Sequence, residues 1–100
     1  MTPTDFIAWQ NAMGISFEQA GELLGTGKRT VTRYRTVGVN RAIDLACAWL
    51  STMDDAARAL VEQANGDRDV LNTAIGNWLA EHPHADPATF RWLIAHRNKT

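Results

Sequence analysis

Three residues, Gly25-Thr26-Gly27, separate two stretches whose apolar residues recur at helical spacing, and a link that short leaves room only for a tight corner between packed helices. Ahead of the corner, Ser16-Phe17-Glu18-Gln19 has the form of a capping box. In such a box the serine oxygen accepts from the Gln19 N–H and the glutamine side chain reaches back. Ala20, Leu23 and Leu24 are the expected core positions of that helix, and Gly25 is the residue able to end it in a left-handed conformation. Beyond the corner, Lys28-Arg29-Thr30-Val31-Thr32-Arg33-Tyr34-Arg35 offers only Val31 and Tyr34, three apart, as one thin apolar face. Its other faces are polar.

The flanks follow the same grammar. Thr2 as N-cap, Pro3 at the first helical position and Asp5 in the first turn open a helix running to about Met13, where Gly14 ends it. Phe6, Ile7, Trp9, Gln10 and Met13 lie at its inward spacing. Thr36-Val37-Gly38-Val39 reads as an irregular link, after which Asn40 caps a helix with Ile43, Ala46, Cys47 and Leu50 on one stripe. In the second half, Thr52 is the expected cap of a helix carrying Ala57, Leu60, Val61 and Ala64 that stops at Asn65-Gly66. Asp67 opens the next helix, with Val70, Leu71, Ala74, Ile75, Trp78 and Leu79 as a two-wide stripe ended by Pro83. Asp86-Pro87 opens a last helix, with Phe90, Leu93, Ile94 and Arg97 on one side and Trp92 off it. No period-two pattern competes, so the expected fold is all-α. A helix-turn-helix unit over 1–50 is followed by a helical extension of about three helices over 51–100, packed on it.

Composition narrows the class. One hundred residues with 45% hydrophobic content and four Trp suffice for a core without disulfide or metal. The lone Cys47 has no intrachain partner and reads as a small core residue. No apolar run approaches the ~18 residues of a membrane span, and the Met-Thr-Pro-Thr-Asp start lacks the pattern of an export signal, which makes a cytoplasmic setting the expectation. Ten Lys+Arg against eleven Asp+Glu give a net charge of −1, which conceals a local excess. From Thr26 through Arg41 there are five cations (Lys28, Arg29, Arg33, Arg35, Arg41) and no acid.

The stretch Gly14-Ile-Ser-Phe-Glu-Gln-Ala-Gly-Glu-Leu-Leu-Gly-Thr-Gly-Lys-Arg-Thr-Val-Thr-Arg-Tyr34 resembles the helix-turn-helix regulators of the lambda-repressor and Cro (XRE-like) type. The likeness covers roughly residues 4–50 and includes Trp9 near the start. It implies a transcription regulator, a repressor of phage or prophage type, whose helix ~28–35 reads the major groove of double-stranded DNA. Lys28, Arg29, Thr32 and Arg33 then face base edges or phosphates. Arg29 and Arg33, one turn apart, are the expected base readers, since arginine grips guanine O6 and N7 with two bonds. Lys28 and Arg35, near the helix ends, are the expected phosphate contacts, and Thr30 and Arg41 complete the candidate set. Three positions depart from the family pattern: Gly21 stands where alanine is usual, Gly27 replaces a Ser or Thr cap, and Arg35 replaces a common acid.

Other chemistries fit less well. Gly25-Thr-Gly-Lys28 fails the G-x-x-x-x-G-K loop pattern in spacing, and a helix, not a strand, precedes it. His82-Pro83-His84 with Glu81 and Asp86 fits no structural zinc spacing. Asp54 and Asp55 diverge on a helix and suit a first turn. No nucleophile, base and orienting partner assemble, so no enzyme, cofactor, metal or small-molecule ligand is expected. The apolar surface of the last helices, Trp78, Phe90, Trp92 and Ile94, suggests a homodimer seam. It also leaves open an alternative: a protein-interaction adaptor or antitoxin-like protein that binds its partner there.

Overall fold

The computed structural model describes residues 1–98, and among these the chain forms six helices and no strand: α1 (Pro3–Met13), α2 (Phe17–Leu24), α3 (Lys28–Val37), α4 (Arg41–Ala64), α5 (Arg68–Glu81) and α6 (Pro87–Asn98). The fold is all-α. It divides into two compact units, Met1–Ser51 and a second that begins at Thr52, so the boundary falls inside α4. No helix among the described residues is long and apolar enough to cross a membrane.

Local chemistry accounts for most helix starts. Thr2 Oγ1 accepts from Asp5 N at 3.1 Å while Asp5 accepts from Thr2 N, and Ser16 with Gln19 forms the same reciprocal box. Asn40 accepts from Ile43 N at 3.0 Å, Asp67 from Asp69 N and Val70 N, and Asp86 from Thr89 N. Gly14 and Gly25 end α1 and α2 in the left-handed conformation.

Thr52 caps nothing. It lies in the middle of the 24-residue α4, because Ser51-Thr52 brings no glycine or proline to interrupt the helix that Asn40 starts. The half beyond Thr52 therefore contains two further whole helices and the end of a third, instead of three new ones. Asp54 and Asp55 correspondingly sit mid-helix, away from any first turn. The link after α3 is also shorter than expected, since the helix continues to Val37 before Gly38 leaves it at φ 88°.

In the first unit Phe6, Ala20, Val31 and Cys47 are fully buried, with Trp9 and Met13 nearly so. Phe6 meets Tyr34 edge-on at 5.4 Å, and the Trp9 ring N–H donates to the Cys47 carbonyl at 3.1 Å. Each such aromatic removed from water stabilises by roughly 1.5–3 kcal/mol. Burial, helped by Asp44 nearby, pushes the Cys47 thiol up to about 12.

The second unit is built on Phe90 and Leu93, both fully buried, with Met53, Ala57, Leu71, Ile75 and Ile94. Trp78 lies flat between Phe90 and His82, 4.0 Å from each ring, and His82 Nδ1 is 2.8 Å from the Trp78 carbonyl. Asp54 is almost fully buried here. Arg97 meets it through Nε and Nη2, both at 2.7 Å, and Arg58 Nε lies 3.2 Å away. Val70 is 49% exposed, so the α5 stripe is narrower than the sequence suggests: Leu71 and Ile75 face in and Val70 faces out.

Candidate nucleic-acid interface

The corner between α2 and α3 is set by close backbone approach. Thr26 N donates to the Gly21 carbonyl at 2.7 Å, and a Cβ on Gly21 would lie 2.6 Å from the Thr26 oxygen. Glycine inside α2, unfavourable by roughly 1 kcal/mol in helix propensity, is thus what lets the turn fold back on the helix. Gly25 at φ 73° supplies the reversal.

Helix α3 is held from one side. Val31 is fully buried and Tyr34 half-buried against Phe6, while Lys28, Arg29, Thr32, Arg33 and Thr36 are exposed. These exposed positions, spaced i, i+1, i+4, i+5 and i+8, form one continuous outer face. Among the described residues, neither Lys28, Arg29 nor Arg33 has a carboxylate partner, and Arg41, exposed at the start of α4, has none either. Thr32 donates its hydroxyl to the Lys28 carbonyl at 3.0 Å and Thr36 to that of Thr32, so both keep oxygen lone pairs outward. Thr30 and Arg33 line a shallow depression of about 320 Å³ with Tyr34, Val37, Gly38 and Asn40.

The start of α3 is electrostatically unfavourable as it stands. Its N-cap, Gly27, makes no side-chain hydrogen bond, its first turn holds no acid, and Lys28 and Arg29 put positive charge at the positive end of the helix dipole. Every other helix start has a capping side chain, an acid or both in its first turns.

Arg35 stands apart from the other candidate cations. It is half-buried, donates through Nη1 to Gln10 Oε1 at 2.8 Å, and its guanidinium carbon lies 4.8 Å from the Phe17 ring centroid. Gln10, expected as part of the apolar face of α1, is a buried amide that also donates to the Ile15 carbonyl at 3.3 Å. The signal for Arg35 lies in its spacing: it follows Val31 by four and Tyr34 by one, which places it on the buried face.

The seam residues of the second unit do not form one surface. Phe90 and Ile94 are buried in their own unit because they supply its core. Trp78 and Trp92 stay partly exposed, Trp78 in its stack and Trp92 stacked on His96 at 4.9 Å. Among the described residues no three His, Cys, Asp or Glu side chains converge as a metal site. The chain matches no protein-family model, and no curated protein or solved structure matches it either.

Proposed function

We propose that this protein is a sequence-specific DNA-binding regulator of the helix-turn-helix type, which lays the outer face of α3 in the major groove. The observation that carries the reading is that Lys28, Arg29 and Arg33 share one exposed face of a helix anchored from behind, with no acid of the described chain opposite them. An anion from outside would relieve the uncapped, cationic start of α3, and the regular array of duplex phosphates supplies one. Arg29 and Arg33 stand one turn apart where two guanidinium groups can address neighbouring guanine edges. Lys28, beside the helix N-terminus, suits a phosphate, and Arg41 suits the flanking backbone. The adaptor alternative has less surface to work with, since Phe90 and Ile94 lie inside.

Selection of bound sequences from a random duplex pool tests the proposal. Recovery of one motif is the expected result, and an inverted repeat with centres about 34 Å apart would add that the protein binds as a two-fold pair. Binding at about 50 mM salt that collapses by about 200 mM with no enriched sequence would reject sequence-specific regulation.

A further inference from the structure

We infer that Arg35 is a positioning residue and not a phosphate contact: bridged to the buried Gln10, it fixes how α3 seats against α1 and the α1–α2 corner. It thereby sets how well the outer face of α3 matches its site. The inference rests on the DNA-reading function proposed above.

One amide ties the whole arrangement together. Gln10 Oε1, on α1, accepts from Arg35 on α3 at 2.8 Å, and Gln10 Nε2 donates to the carbonyl of Ile15 in the corner at 3.3 Å. The Arg35 guanidinium covers the ring of Phe17, the first residue of α2. Gln10 is 3% exposed, so its side chain has no access to a duplex, and any effect it has on DNA must pass through α3. A charge-assisted hydrogen bond in a half-buried setting is short and directional, and one placed next to Val31 and Tyr34 resists rotation of α3 about its own axis. Such rotation matters because the two-bond grip of arginine on guanine tolerates little misalignment. Drawing Arg35 away to a phosphate would leave Gln10 Oε1 buried without its donor, a costly arrangement.

The test compares wild type with Arg35→Met, Arg35→Lys, Gln10→Ala and the Gln10→Ala/Arg35→Met double variant on the selected duplex and on a random one. Arg35→Met keeps the aliphatic packing. It is expected to lower affinity for the selected duplex about tenfold, the scale of losing a charged hydrogen bond, with random-duplex affinity and the salt slope unchanged. Gln10→Ala, which removes no charge, should reproduce that loss of specificity, and the double variant should be no worse than the weaker single. Arg35→Lys should fail to restore it. A salt slope reduced by about 0.9 in Arg35→Met, restored by lysine, would overturn the inference in favour of a phosphate contact.

Thermal unfolding of the same variants without DNA separates the two claims. Non-additive losses in Tm are expected from a bridge, and additive losses overturn it. If wild type bound no duplex while the unfolding losses stayed non-additive, the DNA reading alone would fall and the brace would stand.

Discussion

In the second unit Arg97 closes two 2.7 Å bonds on Asp54 and Arg58 reaches the same carboxylate, whereas in the first unit Lys28, Arg29 and Arg33 face outward and none of them pairs with an acid among the described residues. The same chemistry is used in two ways. Around Asp54 the carboxylate is met within the chain by two guanidinium groups, and the Arg97 bonds tie α6 to the α4 segment of that unit. On α3 Lys28 and Arg29 oppose the helix dipole and add nothing to the helix that carries them. Exposed cations are common on any surface. What sets these apart is that they coincide with an uncapped helix start, a local conflict of the kind that proteins keep at functional sites.

Removing one member of each set should have opposite consequences for folding and for DNA binding. Asp54→Ala should cost about 3 kcal/mol of unfolding free energy, since it removes both 2.7 Å bonds of a largely buried Arg97, and urea denaturation reads the loss. A change below about 0.5 kcal/mol would make the Asp54 cluster no more structural than the α3 cations. Arg33→Ala should reverse the pattern: about 2 kcal/mol lost on the selected duplex with relaxed preference at one base pair, and unfolding unchanged within about 0.5 kcal/mol. Lys28→Ala should weaken all duplexes alike and lower the salt slope by about 0.9.

Gly21→Ala tests whether the corner is as tight as the backbone indicates. Although alanine is the better helix former, its Cβ meets the Thr26 carbonyl, so a net loss of about 1–2 kcal/mol is expected. A gain in stability would show that the corner can relax.

One group in each unit also makes stability depend on pH, in opposite directions. Cys47 is raised from 9.0 to about 12, so the folded state holds its proton where the unfolded chain releases it. Its contribution is complete below about pH 9 and is lost as pH rises toward about 12. About 1 kcal/mol should be missing by about pH 10, and Cys47→Ala should abolish that dependence in pH-stepped denaturation. Asp86 is lowered from 3.8, first by the Thr89 hydroxyl and then by backbone N–H groups, so the cap of α6 weakens as pH falls through its folded value. The smallest effect belongs to the missing cap of α3. Gly27→Ser meets no atom within 4 Å and should stabilise by a few tenths of a kcal/mol in thermal unfolding.

Much of this fold can be read along the chain because its boundaries are local events. The Ser16–Gln19 box, the Asn40, Asp67 and Asp86 caps and the glycine ends each depend on three or four neighbouring residues. The exposed face of α3 is equally legible, following from where Val31 and Tyr34 must point. What stays hidden depends on partners far along the chain. Thr52 has the chemistry of a cap but sits where nothing breaks the helix. Asp54 shares a stripe with Cys47 and Leu50, yet it is buried where Arg97, 43 residues later, arrives on the stripe of Phe90 and Leu93 to bind it with two bonds, beside the local Arg58. The charge of Arg35 suggests a phosphate contact, whereas its spacing from Val31 turns it inward, toward an amide 25 residues away.

Amide chemical-shift mapping on titration with the selected duplex addresses the outer face of α3 most directly. Perturbations should concentrate at Lys28, Arg29, Thr32, Arg33 and Thr36, with the resonances around Asp54 and Arg97 unmoved. Saturable binding that left residues 28–36 unperturbed, or that shifted the Asp54 cluster instead, would contradict it.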